Sequence, residues 1–149
     1  MSIPDPETLL SSLSYDELSA SILAGLAVGL SDGKISSEEL QEITNIVHKM
    51  TGYRLGHDEV WAITLAGWHY ADRHGSEAAI GHAAGYLWND PIVAGTVISL
   101  AAAVAYKGGG IGEKEGNAIR TLASYVSVDP NSEEYFAYLG DGQELAAAG

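Results

Sequence analysis

The sequence predicts an all-α protein, a compact helical bundle of two related halves. Three observations lead there. No stretch sustains the period-2 alternation of a strand, while alanine and leucine abound and apolar residues recur at helical spacing. Serine–x–x–glutamate boxes and Asp-Pro steps punctuate the chain at helix-length intervals. A helix–turn–helix in the first half aligns with another in the second.

Pro4 and Pro6 open the chain, and Glu7 to Leu13 reads as a short apolar turn across the domain. Ser14-Tyr15-Asp16-Glu17 is a capping box, in which serine and glutamate satisfy two backbone N–H groups. It starts a helix predicted to reach about Leu30. Ser31-Asp32-Gly33-Lys34 interrupts that helix, and Ser36-Ser37-Glu38-Glu39 is a second box. The helix it starts runs to about Met50, with Leu40, Ile43, Ile46, Val47 and Met50 on one buried face. A further helix is expected from Asp58 to Arg73, with Trp61, Leu65 and Trp68 on one stripe. His74-Gly75 ends it, and Ser76 is expected to cap a shorter helix through about Leu87. Asn89-Asp90-Pro91 restarts the chain, since proline is tolerated at the first helical position. The next helix runs to about Tyr106 and breaks at Lys107-Gly108-Gly109-Gly110. Another spans about Gly112 to Val126. Asp129-Pro130 then introduces a short helix carrying Tyr135, Phe136 and Leu139, and the small, acidic tail from Gly140 is expected to fray.

A shift of 76 residues aligns the two helix–turn–helix units, residues 14–75 and 90–139. Ile22 falls on Ile98, Ala27 on Ala103, Val28 on Val104, Gly33 on Gly109, Ile35 on Ile111, Glu39 on Glu115 and Ile43 on Ile119. The leading helix of each unit is apolar nearly all round, as a central helix is. Gly25, Gly29 and the run Ala101 to Ala103 would let these two helices approach closely. The expected architecture has them at the centre, with the other helices around them.

The chain of 149 residues is the length of one domain, and 46% hydrophobic residues suffice for a core. Seven basic residues against twenty acidic ones leave a net charge of −13, which repels phosphate backbones and speaks against nucleic acid. Such a surface attracts cations and basic partners. No cysteine is present, which excludes a disulfide framework and a thiolate nucleophile. The opening MSIPDPETLL lacks a basic start and an apolar signal core, so no signal for secretion is expected in it. The uncharged run Pro91 to Tyr106 is shorter than the roughly 18–20 apolar residues of a membrane span and reads as a core helix.

The pattern Asp-Gly-x-Ile-Ser-x-x-Glu at Asp32 to Glu39, between a small-residue helix and an apolar-periodic one, resembles the tellurite-resistance protein TerB family. The segment AAAVAYKGGGIGEKEGNAIRTLASYVSV is similar to that family's second motif, and the resemblance covers most of residues 15 to 128. It implies an all-α fold of two related halves and a cytoplasmic stress-response protein associated with tellurite resistance; a non-catalytic role is expected from the residues, since no serine sits in a nucleophile-elbow pattern and no cysteine is present. Other Ter-type proteins would be its partners, some at the inner membrane surface, and a homo-oligomer is a further expectation. Acidic residues near the turns would hold a divalent cation of the Ca²⁺ or Mg²⁺ class. The implied positions are Asp32, Gly33 and Glu39 in the first turn, with Gly109 and Glu115 in the second. Gly108 stands where the first turn has Asp32, so the second turn lacks one oxygen ligand.

Hard cations require several oxygen ligands. Asp32 and Glu39 offer carboxylates, and Glu38, Glu113 and Glu115 join them if the two turns lie side by side. An EF-hand is excluded: aligned on Gly33, its first ligand positions would be Val28 and Leu30, which cannot coordinate. Glu39 has a second role open to it, as the carboxylate that closes the Ser36 capping box. The glycine run at 108–110 lacks the Gly-Lys-Ser/Thr of a P-loop and the strand of a dinucleotide site. His69 and Asp72 share a helix face that His82 could approach, which is the one arrangement with enzymatic potential. Trp61, Trp68 and Trp88 read as core or interface. The alternative to a cation-binding protein is a plain helical interaction module whose acidic turns only cap helices.

Overall fold

The computed structural model describes residues 14–51, 54–87, 91–107 and 110–148, with the side chains of residues 32, 50, 91, 92 and 148 outside that description. The expected turn at Glu7 to Leu13, Trp88 and the Gly108-Gly109 pair lie outside it too. Among the described residues every regular element is helical: α1 (Tyr15–Gly29) with a 3-10 turn (Leu30–Asp32), α2 (Ser37–Met50), α3 (His57–His74), α4 (Ser76–Ala84), α5 (Pro91–Lys107), α6 (Glu113–Tyr125) and α7 (Glu133–Ala148).

The caps form as the sequence dictates. The Glu17 N–H donates to Ser14 Oγ at 3.2 Å, and the Ser14 N–H donates to Glu17 Oε1 at 3.1 Å. Ser36 and Glu39 repeat the exchange at 3.1 and 3.2 Å. Gly112 has no side chain to offer, so α6 keeps half of the box: the Gly112 N–H donates to Glu115 Oε1 at 3.0 Å. The break between α3 and α4 differs from expectation. Ser76 is the first residue of α4 and makes no cap bond; Gly75, at φ +91°, turns the chain while its N–H still bonds Ala71 O at 2.9 Å. That backbone conformation is open to glycine at little cost and to most other residues only with strain.

α1 and α5 pack together at the centre, as expected. Leu18, Ile22, Leu26 and Val28 of α1 and Val97, Ile98 and Leu100 of α5 are all buried. Their backbones approach through Gly25, where an added Cβ would stand 3.2 Å from Val104 Cγ2 and 3.9 Å from Ala101 Cα. Buried hydroxyls on these and neighbouring helices are satisfied locally. Ser21, Thr44, Thr64 and Ser99 each donate to the carbonyl one turn earlier, at 2.7 to 3.0 Å. No helix among the described residues is long and apolar enough to cross a membrane.

The C-terminal segment corrects the sequence reading. Instead of fraying from Gly140, it continues as α7 to Ala148 and, among the described residues, makes the broadest helix–helix packing, against α5. Tyr135 and Tyr138 are buried there, and Gly142 rests on the α5 backbone. Ala102 and Ala103 thus serve α7, whereas Ala101 serves α1. Arg120 of α6 reaches the Tyr135 hydroxyl, lowering a phenol pKa that burial raises by more.

α7 also carries an electrostatic liability. Burial, and then the Glu144 carboxylate, raise the Asp141 pKa above its ordinary value. The folded chain therefore holds this proton more tightly than the unfolded chain. The contribution is fully present below the ordinary carboxylate pKa and lost as pH rises through the folded one. Asp141→Asn is expected to raise the melting temperature at pH 7, with the advantage vanishing as the buffer is acidified past the ordinary carboxylate range.

Candidate functional site

Two turns meet at one end of the central helix pair. In the first, the 3-10 turn hands over to Gly33, at φ +154°, and the chain then inserts Ile35 beneath Gly29. Ile35 is buried, while Lys34 beside it is exposed. In the second, Gly110 at φ +112° donates its N–H to Ala105 O at 3.0 Å, and Ile111 follows, half-buried. Both turns end in a glutamate that closes onto the start of the next helix, Glu39 on α2 and Glu115 on α6.

These two glutamates line one cleft. Its apolar wall comes from Gly29, Ile35, Ile43 and Val104, and its charged groups are Glu39, Glu115, Lys34 and Lys107. The cleft has a volume of about 80 Å³. That is well above the roughly 10–15 Å³ that a cavity needs to hold one water molecule. Glu115 is only 7% exposed, an unusual depth for a carboxylate. Each glutamate commits Oε1 to its cap, leaving Oε2 as the oxygen that can face the cleft.

The other expected site residues fare differently. Glu38 and Glu113 are exposed in the first turns of α2 and α6, and neither lines the cleft. The Asp32 side chain lies outside the described residues. Among the described residues, no three His, Asp or Glu side chains converge to hold an ion. Two carboxylates therefore leave most of the coordination of a hard cation to water, a pattern that Mg²⁺ accepts more readily than Ca²⁺.

Lys34 and Lys107 are the members that sequence reasoning missed. The 76-residue shift pairs Lys34 with Gly110 and Lys107 with Ser31, so alignment of the turns hides both ammonium groups. The cleft balances two positive charges against two negative ones.

His69, Asp72 and His82 do not form a metal-binding group. His69 and Asp72 are exposed on α3. The His69 ring meets Trp68 edge-on at 4.8 Å, and the His82 ring stacks on Tyr70 at 4.8 Å and 27°. Comparison of the chain with protein-family models, with curated proteins and with solved structures returned no match.

Proposed function

We propose that this chain is a non-catalytic helical binding protein of TerB type, whose cleft between two related turns takes a divalent cation. One observation carries this: Glu39 and Glu115, distant in sequence, line the same cleft with one oxygen each outside the capping bonds. The aligned turns at Ile35–Glu39 and Ile111–Glu115 support descent from one duplicated unit. With the resemblance at Asp32 to Glu39, they support a cytoplasmic role in tellurite or metal stress, beside other Ter-type proteins. The ion keeps most of its water and is bound weakly, because Lys34 and Lys107 compete for the same carboxylates.

The test is a thermal-shift titration of chelator-treated protein with Mg²⁺, Ca²⁺, Mn²⁺ and Zn²⁺, at ionic strength held constant with monovalent salt. A saturable rise for Mg²⁺ or Ca²⁺ is expected, reaching about 2.7 kcal/mol of stabilisation at a hundredfold excess over Kd. Glu39→Gln and Glu115→Gln each weaken it about tenfold while retaining the cap, since glutamine serves there too. Lys107→Met removes a competing charge and tightens the ion. Equal, unsaturated shifts for every ion, unchanged in these variants, would reject the site.

The capping bonds favour a second reading. Glu39 and Glu115 already have structural work, and a helical interaction module needs no more from them. It predicts partner capture that weakens with salt and ignores chelator.

A further inference from the structure

A separate groove lies between α1, α3 and α4, with a volume of about 320 Å³, the scale of a small-molecule site. Its hollow comes from small residues on facing helices, Ala20 of α1 with Ala62, Ala66 and Gly67 of α3. Gly67 allows that closeness: a Cβ there would stand 3.0 Å from Leu26 Cδ1 and 3.7 Å from Leu23 Cα.

The rim is aromatic. Tyr15 at the start of α1, Tyr70 of α3 and Tyr86 just after α4 all line the groove. Tyr15 and Tyr86 are 61% and 53% exposed, two of the most exposed large hydrophobic residues described. His82 bridges two of these rings, stacked on Tyr70 and edge-on to Tyr86 at 5.8 Å. Asp16 is the one carboxylate in the lining, which includes no lysine or arginine.

Aromatic faces are electron-rich and attract a soft cation placed over them, most strongly one with little hydration to lose. A carboxylate beside them adds a charge-specific contact. An anion meets the wrong potential here, in a chain of net charge −13. A small hard metal ion finds only one carboxylate. We infer that this groove is a binding site for a quaternary or methylated ammonium group carried by a small molecule, with Tyr15 and Tyr86 as its open aromatic walls, Tyr70 behind them with His82 stacked on its ring, and Asp16 as the counter-charge.

The test follows the tyrosine resonances of the full chain during titration with choline, tetramethylammonium and 3,3-dimethylbutanol, the uncharged isostere of choline. Saturable shifts at Tyr15, Tyr70 and Tyr86 are expected with both cations. Loss of the positive charge should weaken binding about tenfold. Tyr86→Ala and Asp16→Asn should each weaken choline by a factor of about five to ten. Both residues are exposed, and circular dichroism verifies that the variants fold. Glu39→Gln/Glu115→Gln should leave choline binding unchanged, separating this groove from the cleft at the turns. Equal affinity for the uncharged isostere would reduce the groove to an apolar surface and overturn the inference. Absence of saturable shifts, or binding indifferent to both Tyr86→Ala and Asp16→Asn, would overturn it as well.

Discussion

Replacing Gly142 with alanine is expected to destabilise the protein by about 2–3 kcal/mol, the upper part of the range for overpacking. Helix propensity alone gives the opposite sign, since alanine is better than glycine in a helix interior by about 1 kcal/mol. Packing decides against it. The new Cβ would stand 2.5 Å from Ser99 O and from Ala102 Cβ, and 3.0 Å from Ala103 N. Two of these atoms belong to the α5 backbone and cannot rotate away, so α7 must lift. At about 2–4 °C per kcal/mol for a chain of this size, the melting temperature should fall by roughly 5–10 °C. Gly140→Ala, two residues away, is the control. Nothing lies within 4 Å of its Cβ position, so propensity acts alone and the melting temperature should rise slightly. Opposite signs at these positions would establish that α7 is docked on α5; parallel gains would mean that it is not.

Leu26→Ala should cost about 2–5 kcal/mol, the range for truncating a fully buried leucine. Leu26 is 0% exposed on the central helix and packs over Gly67 of α3. The adjacent glycine gives the prediction a sharper form. A Cβ at Gly67 would meet Leu26 Cδ1 at 3.0 Å, so Gly67→Ala alone crowds that side chain. In Leu26→Ala the same methyl enters the vacated space. Urea unfolding of both single variants and the double variant should reveal a coupling of about 0.5–3 kcal/mol, with the double variant more stable than the sum of the singles predicts. Strict additivity would show that α1 and α3 do not touch at this point.

Local signals account for most of the helices. Ser14–Glu17 and Ser36–Glu39 determine where α1 and α2 begin, because cap and first turn exchange hydrogen bonds within four residues. Gly33 and Gly75 were legible as breaks for a similarly local reason. The tail was not legible. Gly140 and Gly142 look like poor helix, and the small side chains of the run from Ala146 like weak core, when only neighbours in sequence are considered. Gly142 is useful only once α5 is beside it, where a missing side chain becomes close backbone contact.

The candidate site divides in the same way. Glu39 and Glu115 could be singled out from the spacing of the turns, and so could the condition that the turns lie side by side. Glu38 and Glu113 fit the same spacing but are exposed and do not line the cleft. Along a helix one residue rotates a side chain by about 100° and two by about 200°, so Glu38 faces other surroundings than Glu39, and Glu113 than Glu115. Lys34 and Lys107 reach the cleft from non-equivalent positions that no alignment of the turns pairs. The aromatic groove draws Tyr15, Tyr70 and Tyr86 from three separate stretches of chain.

The sequence by itself determined an all-helical chain, its principal breaks, its acidic surface and the two apolar central helices. Each follows from interactions within a turn or two, or from composition. Only the tertiary structure decided that the C-terminal segment is a packed helix, which glutamates share a cleft with lysines, and that three distant tyrosines rim one groove. Those outcomes depend on the rotation and closeness of helices far apart in sequence, which side-chain volumes set collectively when the core closes.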